Sequence, residues 1–330
     1  MRYSQDWKSR GEKMAELMKI TGLKKRYDNN SGITDIRMNI SKGTIHGFLG
    51  LNGSGKTTTM KIIMGLLRKD GGMIEYDGRE YDPANVNDRA NIGFSPDLPF
   101  YPPYLTGEEL VAVYGHMRGL TKSESKKAAQ DLLKMVELYD HRNKKVGKYS
   151  RGMLARVGIA VSLIGDPGMI ILDEPTSGLD PAATSTVRNL LGKLRKDGKT
   201  VLLSSHLLGE VQNMCQNITI IHAGSTIMEG SMNDLIEKFS NDQRYVAEFS
   251  KISPTIVSEI RKVEGINKVQ VIDTEGRPMK LTFYANSDIR ENVAMIAVKN
   301  GSMMISCTPE GQSLEELFLK LVGNRDDKLP

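Results

Sequence analysis

The segment Gly50-Leu51-Asn52-Gly53-Ser54-Gly55-Lys56-Thr57, followed by Thr58, fits the pattern GxxxxGK(S/T). Glycines let main-chain N–H groups turn inward around phosphate oxygens, where a side chain would block them. A helix opening at Lys56 adds the partial positive charge of its N-terminus, aimed at the same anion. Lys56 then serves as a mobile point charge for the terminal phosphates, and the Thr57 hydroxyl as a ligand for Mg²⁺. At average glycine usage such a pattern arises in roughly one chain of this length in a hundred, so the match is specific. Farther along, Met169-Ile170-Ile171-Leu172 runs into Asp173-Glu174. A buried strand ending in carboxylates can set Asp173 on the Mg²⁺ shell beside Thr57. It leaves Glu174 to orient or deprotonate an attacking water.

Three further segments say little singly and more together. Tyr149-Ser150-Arg151-Gly152-Met153 precedes a helical pattern, Ser177-Gly178-Leu179-Asp180-Pro181 follows the acidic pair, and Ser204-Ser205-His206 closes an apolar run. Taken alone, Ser150 reads as a helix N-cap and His206 as a strand-end residue.

These groups need elements to hold them. Ile45–Leu49 reads as a buried strand feeding the glycine loop, with a helix over Lys56–Leu67 behind it. Met169–Leu172 and Val201–Leu203 read as further buried strands. Between them Val187, Leu190, Leu191 and Leu194 recur at the spacing of one helix face. Strands alternating with amphipathic helices indicate an α/β sheet from about residue 18 to 239. Residues 98–165 differ: Pro99, Pro102 and Pro103 break regular structure and three helical patterns follow, as in an inserted helical subdomain. From about 240 the pattern changes to half-buried strands at 245–249, 268–272 and 280–284. Helices are expected around 256–263 and 293–298, with a last one carrying Leu314, Leu317, Phe318 and Leu321 on one face. The organisation expected is a lead-in at 1–13, disordered or upstream of a start at Met14 or Met18, a main domain at 14–239 and a small α+β domain at 240–330.

At 330 residues each unit can bury its own core. The formal charge of +5 is that of a solubilising surface. Cys215 and Cys307 lie far apart without metal-ligand spacing, which argues against a disulfide framework or a zinc site and for a reducing compartment. The N-terminus has charge throughout and no apolar centre, unlike a secretory signal. The longest apolar stretch, Val157–Leu172, is interrupted by Asp166 and Pro167 and is too short to span a bilayer.

In order and spacing, residues 18–239 resemble the ATP-binding cassette (ABC) transporter family. That resemblance implies a P-loop NTPase core with an antiparallel β subdomain, and ATP and Mg²⁺ as cofactors. It implies that Tyr27 stacks on adenine, that Gly50–Thr58 hold phosphate, and that Asp173 and Glu174 are the metal-binding and catalytic acids. Tyr149–Met153 become the signature segment, Asp180 a dimer-contact residue and His206 the switch histidine. Two cassettes would pair head to tail, Ser150 and the Gly152 backbone of one capping the γ-phosphate held by the other. The partners implied are a second cassette and a separate transmembrane permease, on the inner face of the cell membrane. Thr106-Gly107-Glu108-Glu109-Leu110, the Ser-Arg-Gly-Met form of the signature and the closing Ser313–Leu321 look like the drug, antibiotic and polysaccharide export branch. Two departures stand out. Arg151 replaces the usual glycine; it would add positive charge near the partner's phosphates and help binding there, and would be strained if the loop required positive φ. Asp97 replaces the usual glutamine, and is expected either to act through a bridging water on the Mg²⁺ shell or merely to cap a turn after Pro96. Nucleic-acid cassettes carry a long coiled coil between phosphate loop and signature; here about ninety residues with prolines and no sustained heptads fill that gap. The alternative function is a cassette switch not coupled to transport.

Overall fold

The computed structural model describes residues 15–27, 31–97, 99–234, 243–272, 279–285 and 287–310. The lead-in at 1–13 and the closing helix expected around 314–321 lie outside the described residues. Two compact units divide between Met232 and Asn233; the sequence puts the change near 239, and 235–242 are not described.

The first unit is built on one ten-stranded sheet. In chain order its elements are β1 (Glu16–Arg26), β2 (Gly32–Ser41), β3 (Ile45–Leu49), α1 (Lys56–Ile63), β4 (Gly71–Tyr76), β5 (Arg79–Glu80), α2 (Val86–Arg89) and β6 (Ile92–Ser95). Helices α3 (Gly107–Met117), α4 (Lys122–Met135) and α5 (Arg151–Ser162) come next. Then follow β7 (Met169–Leu172), α6 (Pro181–Lys196), β8 (Thr200–Ser205), α7 (Leu208–Gln212), β9 (Asn217–His222) and β10 (Ser225–Ser231). The strand order is β5-β4-β1-β2-β10-β9-β3-β8-β7-β6. Strands β9, β3, β8, β7 and β6 run parallel, while β5, β4, β1 and β2 form an antiparallel wing. Composition follows position: β3, β7 and β8 are buried at every residue, as central parallel strands must be. In β2, Ile33, Ile36, Met38 and Ile40 face the core and the residues between them do not.

Helix α1 stops earlier than the expected Leu67. Gly65 takes φ +67°, its N–H bonds to the Ile62 carbonyl, and Leu66 N–H reaches back to the Lys61 carbonyl. Those bonds close a Schellman motif and satisfy carbonyls that a longer helix would have used. Helices α3 and α4 each begin in a capping box, Thr106 with Glu109 and Thr121 with Glu124. Thr106-Gly107-Glu108-Glu109 is therefore a helix start. The expected stripe on α6 is buried, and Asp180 caps that helix with Pro181 in its first turn.

The second unit contains β11 (Gln243–Phe249), α8 (Pro254–Ile260), β12 (Ile266–Ile272), β13 (Met279–Ala285), α9 (Arg290–Lys299) and β14 (Met304–Glu310). Its antiparallel sheet has the order β12-β13-β11-β14, the split β-α-β arrangement of ferredoxin-like units. Tyr245, Phe249, Leu281 and Phe283 meet Ile256, Ile260 and Val293 in its own core.

A half-buried carboxyl in β10 is expected to make the first unit sensitive to pH. Glu229 accepts hydrogen bonds from the Asn39 N–H and, at 3.2 Å, from Asn39 Nδ2. Burial pushes its carboxyl up to about 7, against those two bonds, which act to lower it. The folded chain thus keeps a proton that the unfolded chain releases near the ordinary carboxylate range. The resulting stability is complete below that range and is lost as pH rises through about 7. Glu229→Gln should remove that loss. Its melting temperature should exceed the parent's by several degrees at pH 8 and match it below about pH 4. Equal melting at both pH values would contradict the assignment.

Candidate functional site

Four parallel strands end at the same edge of the sheet, and each delivers one part of the site. Strand β3 runs into Gly50, β8 into His206, β7 into Asp173 and Glu174, and β6 towards Asp97. Their order in the sheet, β3-β8-β7-β6, sets the order of these groups across the site.

The loop after β3 closes at Gly55, which has φ +108° and sits at the N-terminus of α1. A β-carbon there would lie 2.4 Å from Ile33 Cγ2, so both backbone and packing demand glycine. Lys56 is buried, and its Nζ donates to the carbonyls of Gly50 at 2.7 Å and Leu51 at 3.3 Å. The same ammonium stands 3.3 Å from Glu174 Oε1. On the other side Glu174 Oε2 accepts from His206 Nδ1 at 2.8 Å. Glu174 therefore lies between two basic groups, and it does so at φ +50°, a conformation that costs a non-glycine residue about 1–3 kcal/mol. Next to it, Thr57 Oγ1 donates to Asp173 Oδ2 at 2.9 Å. Ser54 is buried in the loop, and its Oγ has no hydrogen-bond partner among the described residues.

A cavity of about 480 Å³ joins these groups, and Tyr27, Gly53, Lys56, Thr57, Asp97, Glu174 and His206 all line it. Tyr27 is 37% exposed on its wall. The Asp97 carboxyl is raised above its ordinary range first by burial and then by Asp173 and Glu174, with His206 opposing.

The ABC transporter family matches residues 33–177. Over 237 residues the chain is 35% identical to the ABC transporter ATP-binding protein NatA of Bacillus subtilis (strain 168), covering 70% of this chain and 96% of that protein. This chain belongs to the ABC transporter family. As a cassette, it is also 31% identical to the bacitracin transport ATP-binding protein BcrA of Bacillus licheniformis, over 94% of this chain and 98% of that one. The second unit is therefore part of the likeness. Among solved structures, a dimeric ATP-binding cassette in a post-hydrolysis state with ADP and Pi matches at 27% identity and TM-score 0.59. That match covers 66% of this chain and 99% of the other.

Within one cassette not every expected residue reaches the pocket. Ser150 caps α5, its Oγ accepting from Met153 N–H at 3.3 Å, and Asp180 caps α6, accepting from Ala183 N–H at 2.8 Å. Neither they nor Gly152 line the cavity that holds Lys56 and Glu174. Arg151 is the first residue of α5 and is not among the residues with positive φ, so it carries none of the strain considered for it. Asp97 lines the cavity; Leu98, the next residue of the turn it would cap, lies outside the described residues.

Sequence reading gave no role to Ser204, although it is central to the site. Its Oγ donates to Asp173 Oδ1 at 2.6 Å and accepts the Glu174 N–H at 2.8 Å. The signal was present in outline, since a buried apolar run ending in two serines needs partners for both hydroxyls. What the sequence lacks is the pairing of β8 with β7, in which Leu203 stands opposite Leu172 and brings Ser204 to the acidic pair.

Proposed function

We propose that this cassette hydrolyses ATP and that closure of two cassettes around ATP powers export of an antibiotic-type compound through a separate membrane permease. The observation that carries the hydrolytic reading is Glu174, held between Lys56 and His206 beside the Thr57–Asp173 pair. The antibiotic class rests on likeness to bacitracin and lantibiotic transport ATP-binding proteins.

In this reading the main-chain N–H groups at the start of α1, with Lys56, bind the β- and γ-phosphates. Thr57 Oγ1 and Asp173 Oδ2 are adjacent hard oxygen donors of the kind Mg²⁺ takes, and they would hold it. No group of three or more His, Cys, Asp or Glu suited to a metal occurs among the described residues, so phosphate and water oxygens would complete the shell. When bound, the ion would draw negative charge from the phosphate oxygens. Glu174 accepts the proton of the attacking water, and His206 holds the carboxylate in position. Ser204 fixes Asp173 and the Glu174 main chain. Tyr27 offers a ring face to adenine.

Ser150 and Gly152, being outside the pocket, are available to the γ-phosphate of a second cassette. Phe100 and Tyr104, 91% and 68% exposed just beyond Asp97, give a permease an apolar hold close to the nucleotide. No helix among the described residues is long and apolar enough to cross a membrane. The competing reading, a nucleotide switch without hydrolysis, leaves the Glu174–His206 pair without a task.

Glu174→Gln keeps shape and removes the base. ATP turnover should fall about tenfold to a hundredfold while ATP binding persists, and an ATP-dependent dimer should accumulate on size-exclusion chromatography. Turnover at the parental rate would remove Glu174 from the chemistry. Asp97→Asn tests the Mg²⁺ shell separately. The variant should keep its fold and its metal-free ATP affinity, yet need more Mg²⁺ for half-maximal hydrolysis. An unchanged Mg²⁺ dependence would return Asp97 to an ordinary loop residue.

A further inference from the structure

The basic residue that departs from the family signature touches the loop beyond the acidic pair in its own chain. Gly178 has φ +67°, and a β-carbon on it would lie 2.5 Å from Arg151 Nη1 and 3.7 Å from Arg151 Cζ. The guanidinium therefore fills the space where a side chain at 178 would stand. One residue on, a β-carbon at Gly152 would lie 2.9 Å from Ala183 Cβ, in the first turn of α6. The start of α5 is thus fitted against residues 178–183 at two successive positions.

That contact has a short route to the chemistry. From Glu174 the chain passes through two tight turns, Ser177 N–H bonding to the Glu174 carbonyl and Leu179 N–H to the Thr176 carbonyl, before Asp180 caps α6. Little slack remains between Gly178 and the strained Glu174 backbone. Arg151, Ser177 and Leu179 also line a cavity of about 360 Å³ together with Asp97, Asp173 and Glu174. Among the described residues the Arg151 guanidinium makes no hydrogen bond and no ion pair. The side chain is otherwise exposed, and its contact with Gly178 is one of shape.

We propose that Arg151 is a positioning residue for hydrolysis, bearing on Gly178 of its own chain and so setting where the loop holds Glu174. The proposal rests on the hydrolytic reading of Glu174. It differs from a contact between Arg151 and the nucleotide of a second cassette, because only a contact within the chain couples Arg151 to Gly178.

Steady-state ATPase kinetics and thermal melting of four proteins separate these outcomes: parent, Arg151→Ala, Gly178→Ala and the double variant. Arg151→Ala should melt near the parent and lose about tenfold in kcat, with KM for ATP within about twofold, because a misplaced catalytic group lowers rate more than affinity. Gly178→Ala should lower kcat in both backgrounds, since φ +67° strains any side chain there, and more in the Arg151 background, where the guanidinium must also shift. Should Gly178→Ala fail to fold, the kcat and KM of Arg151→Ala decide alone. A rise in KM at parental kcat would assign Arg151 to the second cassette's nucleotide and overturn the proposal. Independent, multiplicative effects of the two substitutions would overturn it as well. A parent without ATPase activity would instead defeat the hydrolytic reading beneath it.

Discussion

A parallel strand carries the residue at its C-terminus to one edge of the sheet, and here β3, β8, β7 and β6 are consecutive neighbours. Everything at the site depends on that arrangement. It converts groups more than a hundred residues apart, such as Thr57 and Asp173, into a pair at 2.9 Å. Strands buried on both faces cannot shift register without exposing apolar side chains, so the spacing of the groups is as rigid as the core beneath them. Phe48, Ile62 and Ile171 belong to one buried cluster, which ties the glycine loop and β7 to the same packing.

On that support the charges at the site are arranged around one carboxylate. Glu174 faces Lys56 on one side and His206 on the other, and Ser204 holds its main chain. Its positive φ is a cost that the pairing of β7 with β8 and these contacts sustain. In the proposed reaction the same carboxylate must respond both to phosphate, through Lys56, and to the strand-end histidine. Ser150 and Gly152 at the start of α5 do not line the cavity that holds Lys56 in their own chain. That is why the proposed function needs two cassettes.

The glycine loop was legible in the sequence because each of its residue types has a distinct physical task, and the acidic pair because it ends an unbroken apolar run. The buried stripe of α6 was legible for the same kind of reason, periodicity. Ser204 was not, because its role comes from a strand pairing that no local pattern encodes. The end of α1 was misjudged because apolar periodicity continues through Leu66 and Leu67, while Gly65 and its two return bonds stop the helix. Arg151 could be recognised as a departure, but its contact with Gly178 depends on how α5 meets α6.

The central claim is a site completed by a second copy, and complementation between two inactive variants tests it most directly. Lys56→Ala disables the phosphate loop and Ser150→Phe the signature, so each protein alone should hydrolyse ATP at a small fraction of the parental rate. In a mixed dimer, one site combines the intact loop of the second variant with the intact signature of the first. Random pairing of equal amounts should recover about a quarter of the parental rate, since half the dimers are mixed and half their sites are whole. A mixture no more active than the sum of its parts, with both variants folded and binding each other, would contradict the account.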